Sequence, residues 1–586
     1  MMTLFTNTKY TLKLGALALL LGLGSCQEYL DVEPQDQLNQ DQVYRDVFDA
    51  DAAVVGIYGK FMGLAEKYVI LNELRADLVS PTYNAGPFYT QLSEHSVTAE
   101  NPYASPKDFY EVINNCNDVL KNFDLMRADN RLDSNEYNER YSDIGTLRSW
   151  LYLQLGIHYG QVPYITEPVE NLNDIRNLNQ YPRIQFEELL NELITFTEGL
   201  PFTDTYSANS TLLIDVDGYN TGKFFINKEC LLGDLHLWRG NYVQAASHYK
   251  VVLETASDSG SDSERYDVYR VKYAEIASNN DLAVGYIRYR EQDAQALINN
   301  NTQGWRSMFS REPDALWNTE WIWSLPFDSS FAPENPFINL FSNQNGNYLL
   351  KPSQEAMNLW EDQTQLNGFP YDARGSKFSY SMINGDPVIM KYLYNYLDPV
   401  SQLPVDVFQR DGRWFLYRAA KLHLRYAEAA NRDGQHRLAD ALLNYGLQNE
   451  YTVEGVEDVT DIEQTNLPFP YDFDARQGDF PFYRGNWYRN GGLRGRAYLE
   501  RAPVYGDSLI SIENNLIEEA ALELAFEGNR WGDLVRVAIH RNDPAFLADK
   551  IYAKLNAQGN AEASAVRTKL MSQENWYLPF VWNDEE

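Results

Sequence analysis

The sequence predicts a mainly α fold, with helical hairpins, irregular loops and a few short strands. Leu147, Leu151 and Leu155 recur at the spacing of one helix face, in a segment that a Gly-Gln-Val-Pro stop ends. Two pairs of such helical segments are each joined by a short turn that contains glycine. Stretches rich in Asn, Asp, Ser, Gly and Pro predict the loops, namely 201–222, 255–282 and 454–492.

The first 25 residues have the order of a secretory signal peptide. Lysines precede an apolar run over 14–23, which is about half of the ~20 residues that a transmembrane helix needs. The small residues Gly24 and Ser25 then stand directly before Cys26, an ending that resembles a bacterial lipobox. By that resemblance Cys26 becomes the first mature residue and carries acyl chains such as palmitate, which anchor the protein to a membrane. Ordinary cleavage nearby, which leaves Cys26 as a free thiol, is the alternative.

The first helical hairpin is predicted over 229–253. Its two helices meet at Gly240, and the small residues Ala245 and Ala246 allow the second helix to pack closely on the first. This is the logic of tetratricopeptide-type hairpins, which the sequence matches in part. A comparable hairpin is predicted over 417–447.

A short strand is predicted over 320–327. Its alternation places Trp321 and Trp323 on one face of the strand. Alternation by itself explains both tryptophans as core residues, so we do not assign them to a ligand site.

Cysteine and histidine usage predicts no metal site and no cofactor. Apart from Cys26, the cysteines are Cys116 and Cys230, each in a helix-like segment, and we expect two buried, unpaired thiols. A single long-range bridge between them stays open. The seven histidines form no His-Glu-x-x-His motif and no pair backed by nearby cysteines, so a zinc enzyme is unsupported. The acidic stretches lack the order of a calcium loop, and Ca²⁺ binding stays open.

The formal net charge of −34 argues against nucleic acid as a partner. Binding to a phosphate backbone needs clustered Lys and Arg, whereas this surface repels it. With 83 Asp and Glu, some pair of carboxylates would lie at a glycosidase separation in almost any fold. The acid count therefore does not favour catalysis, and we predict that the protein is not an enzyme.

Charges near the C-terminus alternate at helical spacing. Glu523, Glu527 and Arg530 are four and three residues apart, and the series continues. Asp533 and Arg536 complete it. The spacing predicts a ladder of opposite charges on one helix face. Because such charges satisfy one another, we interpret them as structural ion pairs rather than as a catalytic carboxylate pair.

Aromatic residues make up 14% of the chain and cluster in segments whose Gly and Pro content predicts loops. On a loop they either cover the scaffold or face a partner. Three clusters stand out, in 81–89, in 305–341 and in 469–488. Such rings stack on the C–H faces of sugars, and neighbouring polar groups bind hydroxyls, although peptides would suit them too. The predicted ligand contacts are Tyr83, Phe88, Tyr89, Trp305, Tyr483, Trp487 and Tyr488.

These segments, in this order after the lipobox-like start, resemble the SusD/RagB family of outer-membrane nutrient-binding lipoproteins. The motifs that carry the resemblance cover nearly the whole mature chain and lie in 29–34, 108–117, 147–163, 352–353, 372–374, 417–429 and 523–536. The last of them is the most specific. The sequence departs from the family pattern at Ala520 and Ala521, where arginines are usual, and in 468–490, which looks like an aromatic-rich insertion.

The resemblance implies a SusD-like helical scaffold with tetratricopeptide-like hairpins. It divides the chain into a signal peptide over 1–25, an N-terminal SusD-like region over 26–300 and a C-terminal RagB/SusD region over 301–586. It also implies a lipid-anchored protein exposed at the cell surface, in the outer membrane, that sits as a lid on a SusC-like TonB-dependent β-barrel transporter.

The leading functional hypothesis is a non-catalytic binder that delivers oligosaccharides to this transporter. An oligopeptide binder of the same kind is the alternative. The two less favoured hypotheses are a surface glycoside hydrolase and a purely structural helical scaffold.

Overall fold

Helices dominate the computed structural model, which confirms the predicted fold class. The described residues are 43–169, 181–216, 219–254, 309, 320–394, 411–451, 467–475, 487 and 490–582. The predicted signal peptide, Cys26, the boundary between 300 and 301, the loop 255–282 and most of the insertion 468–490 lie outside these residues.

The first group of helices surrounds the N-terminal part of the core. They are α1 (Val47–Met62), α2 (Ala65–Val69), α3 (Pro87–Ser93), α4 (Lys107–Ala128), α5 (Ser134–Tyr159), α6 (Phe186–Glu198), α7 (Lys228–Arg239) and α8 (Tyr242–Leu253). A π-helical turn, Ile70–Leu74, continues α2. Helix α5 begins with a capping box between Asp133 and Glu136 and ends at Gly160, whose φ is 71°.

The second group of helices follows in the C-terminal part. They are α9 (Phe337–Phe341), α10 (Gln354–Glu361), α11 (Ala419–Arg432), α12 (His436–Leu443), α13 (Gly446–Tyr451), α14 (Leu493–Arg496), α15 (Ser508–Glu523), α16 (Arg530–Arg541), α17 (Pro544–Ala557) and α18 (Ala563–Leu570). A second π-helical stretch, Arg374–Ser379, precedes the strands that carry the candidate site.

Short strands pair in antiparallel twos between the helices. They are β1 (Val79–Pro81) with β7 (Leu350–Pro352), β2 (Gln161–Pro163) with β3 (Arg183–Gln185), β4 (Asp215–Val216) with β5 (Tyr219–Asn220), β6 (Trp321–Phe327) with β10 (Gly412–Arg418), and β8 (Tyr380–Ile383) with β9 (Asp386–Ile389). The predicted strand is β6, and Trp321 and Trp323 are both buried in the core as expected.

Both predicted hairpins are present. Helices α7 and α8 meet at Gly240, which caps α7 in the left-handed conformation, and Ala245 and Ala246 are fully buried. Gly233 lies against the Tyr249 ring, so α8 approaches α7 at a distance that a larger residue would prevent. Helices α11 and α12 form the second hairpin, and α8 packs on α11, which joins the two hairpins into one layer.

The two cysteines behave as the sequence predicts. Cys116 and Cys230 are buried free thiols. Burial raises the pKa of Cys116 to about 12, so this thiol is protonated and unreactive at physiological pH. A disulfide between the two, which the sequence left open, is absent.

The predicted one-helix ladder near the C-terminus is wrong. Helix α15 ends at Glu523 and α16 begins only at Arg530, so the five charges do not share one helix face, and only Asp533 and Arg536 pair as predicted, within α16 at 3.2 Å. Between them the backbone turns through positive φ at Phe526 (73°) and Gly528 (82°). A Cβ on Gly528 would overlap the Tyr68 ring, so the turn needs glycine for both its conformation and its close approach.

The charges of this motif instead find partners far away in sequence, as structural ion pairs. Arg530 pairs with Asp77 at 2.6 Å, and Arg536 with Glu428 at 2.6 Å. Glu523 and Glu527 belong to a larger cluster, the buried charge network. Its five acids and five bases are Glu320, Asp372, Glu519, Glu523, Glu527, Arg374, Lys391, Arg418, Arg494 and Arg496.

Glu523 and Arg418 lie at the centre of the network. Glu523 accepts from Arg374 at 2.6 Å, from Arg418 at 2.7 Å and from Arg496 at 2.6 Å. Burial alone would raise the pKa of Glu523, but these guanidinium groups hold it well below its usual range. Arg418 reaches Glu523 and Glu527, and these acids hold its pKa well above the usual value despite its burial. Glu523 and Arg418 are therefore both ionised.

We expect Gly528→Ala to lower the free energy of unfolding by about 3 kcal/mol or more, because it adds a clash with Tyr68 to the strain of a left-handed residue. Urea denaturation measures the difference. The matched control is Gly559→Ala, where φ is 69° and no atom lies within 4 Å of the added Cβ. Gly559→Ala should lower the free energy of unfolding by only about 1 kcal/mol. Equal losses in the two variants would contradict the packing role of Gly528.

The network also predicts a pH dependence of stability. The pKa values of Glu320, Glu523 and Glu527 are lowered in the fold below their ordinary 4.5, because neighbouring arginines outweigh the effect of burial. Their stabilisation is therefore complete above pH 4.5 and is lost as the pH falls through the lowered folded-state values.

Arg418→Met should lower the free energy of unfolding at neutral pH by about 3–5 kcal/mol, because it removes one of the five buried bases and leaves an excess of buried negative charge. The difference in the free energy of unfolding between Arg418→Met and the unmutated protein should become smaller when denaturation is repeated in acid. Arg45→Met is the control, since it removes only an exposed ion pair with Asp49 and should change little. If this difference in the free energy of unfolding stayed constant down to strong acid, Arg418 would be shown to act by packing and not by charge.

Candidate ligand-binding surface

The first predicted aromatic cluster lies where two small sheets meet. The pairing of β1 with β7 places the loop after β1 beside residues 347–349, and β7 in turn packs on β9. Tyr83 lies on this loop with 75% of its surface exposed. The ring therefore faces solvent at the junction of the β1–β7 pair and the β8–β9 hairpin.

Polar contacts hold Tyr83 and Asn84 in place. The Tyr83 hydroxyl donates to Oδ2 of Asp386 over 3.2 Å, and the Tyr83 ring meets the Tyr348 ring edge-on with centroids 6.0 Å apart. Asn84 Nδ2 donates to the backbone oxygen of Asn347 over 3.1 Å. The hydrogen bond to Asp386 raises the pKa of Tyr83, so its hydroxyl is protonated at physiological pH.

The supports beneath these residues are buried. The hydroxyl of Thr82 donates to the backbone oxygen of Tyr348. The Tyr348 hydroxyl in turn donates to the backbone oxygen of Pro387 over 2.8 Å. Asn384 and Gly385 form the turn between β8 and β9 with φ of 54° and 92°, the geometry that an Asn-Gly pair favours in a tight hairpin.

The β8–β9 hairpin is anchored at its base by the buried charge network. Arg374 lies just before β8 and Lys391 just after β9, and they bind Glu523 and Glu527 respectively. The tip of the hairpin carries Asp386 to the surface. We define the Tyr83 surface as Tyr83, Asn84, Asn347, Met382 and Asp386, of which Met382 on β8 is 60% exposed.

Phe88 and Tyr89 differ in their environments although they are adjacent in sequence. Phe88 lies in the first turn of α3 and is 36% exposed. Tyr89 is half-buried, its hydroxyl lies 2.7 Å from that of Tyr103, and Tyr103 donates to Glu66 over 3.1 Å. Tyr83 and Phe88 therefore present ring surface to solvent, whereas Tyr89 mainly packs.

In the described parts of the other two aromatic clusters, Phe331 and Phe469 are exposed, at 74% and 54%, and the remaining rings are buried. From the second cluster, Phe309, Phe337 and Phe341 are buried in the core. Trp487, predicted as a ligand contact, is 2% exposed. Its Nε1 donates to Glu254 over 2.7 Å and its ring stacks on Tyr426, so the structure places it in the core instead. Trp305, Tyr483 and Tyr488 lie outside the described residues.

Sequence reasoning missed Asn347 and Asp386. Each lies more than 250 residues from Tyr83, and only the pairing of β1 with β7 and the packing of β7 on β9 bring them together. The Asn-Gly turn beside Asp386 is the local signal that could have predicted this hairpin.

Two concave regions lie elsewhere on the described surface. The larger, of about 920 Å³, is lined by polar and aromatic side chains that include Arg183, Trp238, Tyr577 and Phe580. The Arg183 guanidinium lies over the Phe580 ring at 4.3 Å, so these two lining side chains already interact with each other. A smaller cavity of about 190 Å³ lies beside α4, against Tyr110 and Trp582.

The described residues contain one cluster with metal-ligand chemistry, Glu198, His236 and His248. The sequence predicts no metal site, because these residues are separated by 38 and 12 positions and match no ligand motif. The carboxylates of the buried charge network are fully engaged by arginine and lysine, which supports the structural interpretation of the C-terminal motif.

Among the helices that the structure describes, none combines the length and the apolar character that a bilayer crossing requires.

Residues 406–583 match the model of the SusD family. Solved structures of the SusD superfamily share the fold. One from Bacteroides vulgatus is 12% identical, with a TM-score of 0.56, and the match covers 91% of this chain and 96% of that one. One from Bacteroides thetaiotaomicron is 16% identical, with a TM-score of 0.54, over 92% and 95%. A SusD-like carbohydrate-binding protein from Bacteroides fragilis is 15% identical, with a TM-score of 0.54, over 86% and 88%.

At these identities the solved structures show the fold, while the family model identifies the C-terminal sequence that contains the 523–536 motif. Together they support a SusD/RagB-type protein: the family model matches residues 406–583, and the fold is that of the SusD superfamily structures. No curated protein matches the sequence.

Proposed function

We propose that this protein is a non-catalytic surface lipoprotein that binds oligosaccharides at the Tyr83 surface and passes them to a SusC-like TonB-dependent transporter. The observation that carries the proposal is an exposed tyrosine ring held between fixed amide and carboxylate groups. The SusD fold supports it, and the similar B. fragilis protein is described as carbohydrate-binding.

The chemistry of the surface suits a sugar. The exposed Tyr83 ring offers a flat apolar face on which a pyranose C–H face can stack. Asp386 accepts from Tyr83 through Oδ2, and its second carboxylate oxygen can accept from a sugar hydroxyl, while the Asn84 side chain can donate and accept. Because the surface is open, each hydrogen bond should contribute about 0.5–1.5 kcal/mol, which favours a long ligand with several contacts.

An oligopeptide is the alternative ligand. Asn84 and Asp386 could also bind the amide groups of an extended peptide, and Tyr83 could pack on one of its side chains. A glycoside hydrolase is disfavoured, because it needs a second carboxylate about 5–10 Å from Asp386 and that role has no candidate among the residues of the Tyr83 surface.

We expect Tyr83→Ala to weaken glycan binding at least 10-fold, because it removes the stacking face. Tyr83→Phe keeps the ring and should change the affinity less than about 3-fold, which corresponds to ~0.6 kcal/mol. Isothermal titration of the mature chain carrying Cys26→Ala, against panels of oligosaccharides and peptides, measures both. Tyr505→Ala is the control, since this residue is equally exposed but outside the Tyr83 surface.

Three outcomes would contradict parts of the proposal. Product formation in the titrated samples would show an enzyme, and binding to peptides alone would favour the alternative ligand. If the glycan affinity of Tyr83→Ala were unchanged, the Tyr83 surface would not be the binding site, and the 920 Å³ cleft near Tyr577 would be tested next.

The anchor rests on the lipobox-like sequence at Cys26. We expect Cys26→Ala to release the protein from the membrane fraction, because no acyl chain can then be attached, while ligand affinity stays unchanged. Fractionation and immunoblotting of cells expressing either form measure this. Cys116→Ala, which removes a buried thiol, is the matched control and should stay with the membrane. A Cys26→Ala protein that remains membrane-bound would contradict lipidation.

A further inference from the structure

Three helices bring metal-ligand side chains together at one edge of the first hairpin. Glu198 is the last residue of α6, His236 lies in the last turn of α7, and His248 lies on α8. One donor atom from each of the three side chains lies within 4.8 Å of the other two.

The distances are close to those of a coordination shell. Nε2 of His236 lies 3.0 Å from Oε1 of Glu198, and the imidazole rings of His236 and His248 are parallel with centroids 5.3 Å apart. Ligand atoms about 2.0–2.2 Å from a tetrahedral Zn²⁺ are about 3.3–3.6 Å from one another. Side-chain rotations that shorten separations of at most 4.8 Å to this spacing would complete the coordination geometry.

The Nδ1 atom of each ring already has a partner. Nδ1 of His248 lies 2.6 Å from Oε2 of Glu229, and Nδ1 of His236 lies 3.2 Å from the Asn241 amide. A carboxylate or an amide oxygen that accepts from Nδ1–H fixes the tautomer in which Nε2 binds a metal ion. Glu229 supplies such a carboxylate directly. Asn241 supplies an amide oxygen when its side-chain amide is flipped, so that Oδ1 and not Nδ2 faces Nδ1 of His236.

The electrostatics of the cluster also favour a cation. Glu198 stands at the C-terminal end of α6, where the helix dipole disfavours a negative charge. The carboxylates of Glu198 and Glu229 together balance a divalent ion.

We propose that Glu198, His236 and His248 form a binding site for a divalent transition-metal ion of the Zn²⁺ class. Two imidazole nitrogens and one carboxylate oxygen suit Zn²⁺, whereas Ca²⁺ and Mg²⁺ require oxygen ligands. The Glu198 side chain is 50% exposed, so the fourth position opens to water and the ion can enter from solvent. The bound ion ties the end of α6 to both helices of the first hairpin.

The test uses the mature chain with Cys26→Ala, made without a polyhistidine tag and stripped with a chelator. We expect Zn²⁺ to bind with a stoichiometry of one and to raise Tm, and Ca²⁺ to do neither. His236→Gln and His248→Gln should each weaken Zn²⁺ binding at least 10-fold by isothermal titration. Glu229→Gln, which changes only the partner of His248, should weaken it about 10-fold. His436→Gln, outside the cluster, is the control and should bind as the unmutated chain does.

Absence of stoichiometric Zn²⁺ binding, or equal affinity in His248→Gln and the unmutated chain, would overturn the proposal. Should a histidine variant fail to fold, Glu198→Gln at the half-exposed position gives the same test, with at least a 10-fold loss expected. The result is independent of the glycan proposal, because none of these residues belongs to the Tyr83 surface.

Discussion

The fold depends on the buried charge network around Glu523 and Arg418. Removing ten charged groups from water is costly, and the cost is offset only while every member keeps its partners. The members come from the residue before β6, the end of β10, the segment around β8 and β9, helix α14, the end of α15 and the turn that follows it. A network of this kind favours one mutual arrangement of these elements, because any other leaves buried charges unpaired.

This constraint reaches the candidate binding surface. Arg374 and Lys391 anchor the base of the β8–β9 hairpin in the network, and the tip of the same hairpin presents Asp386 to Tyr83. Binding sites need polar groups that are already in place, since ordering them on binding would cost affinity. The network thus engages its own acids in ion pairs and at the same time holds in place Asp386, the acid of the proposed binding surface.

The first helical hairpin has a separate organisation. Its close approach depends on Gly233 and the buried alanines, and its edge carries the cluster of Glu198, His236 and His248. The hairpin and the Tyr83 surface share no residues, so a change in one leaves the residues of the other unaltered. Neither feature follows from the SusD-like fold by itself.

Local patterns in the sequence determined the fold class, both hairpins, the strand 321–327 and the burial of Cys116 and Cys230, because periodicity and turn residues act over a few positions. They also identified Tyr83 and Phe88 as exposed rings. Only tertiary structure decided that the 523–536 charges bind distant partners, that Trp487 is buried, and that Asp386 and Asn347 meet Tyr83. Each of these depends on contacts between segments far apart in sequence, about which spacing along the chain carries no information.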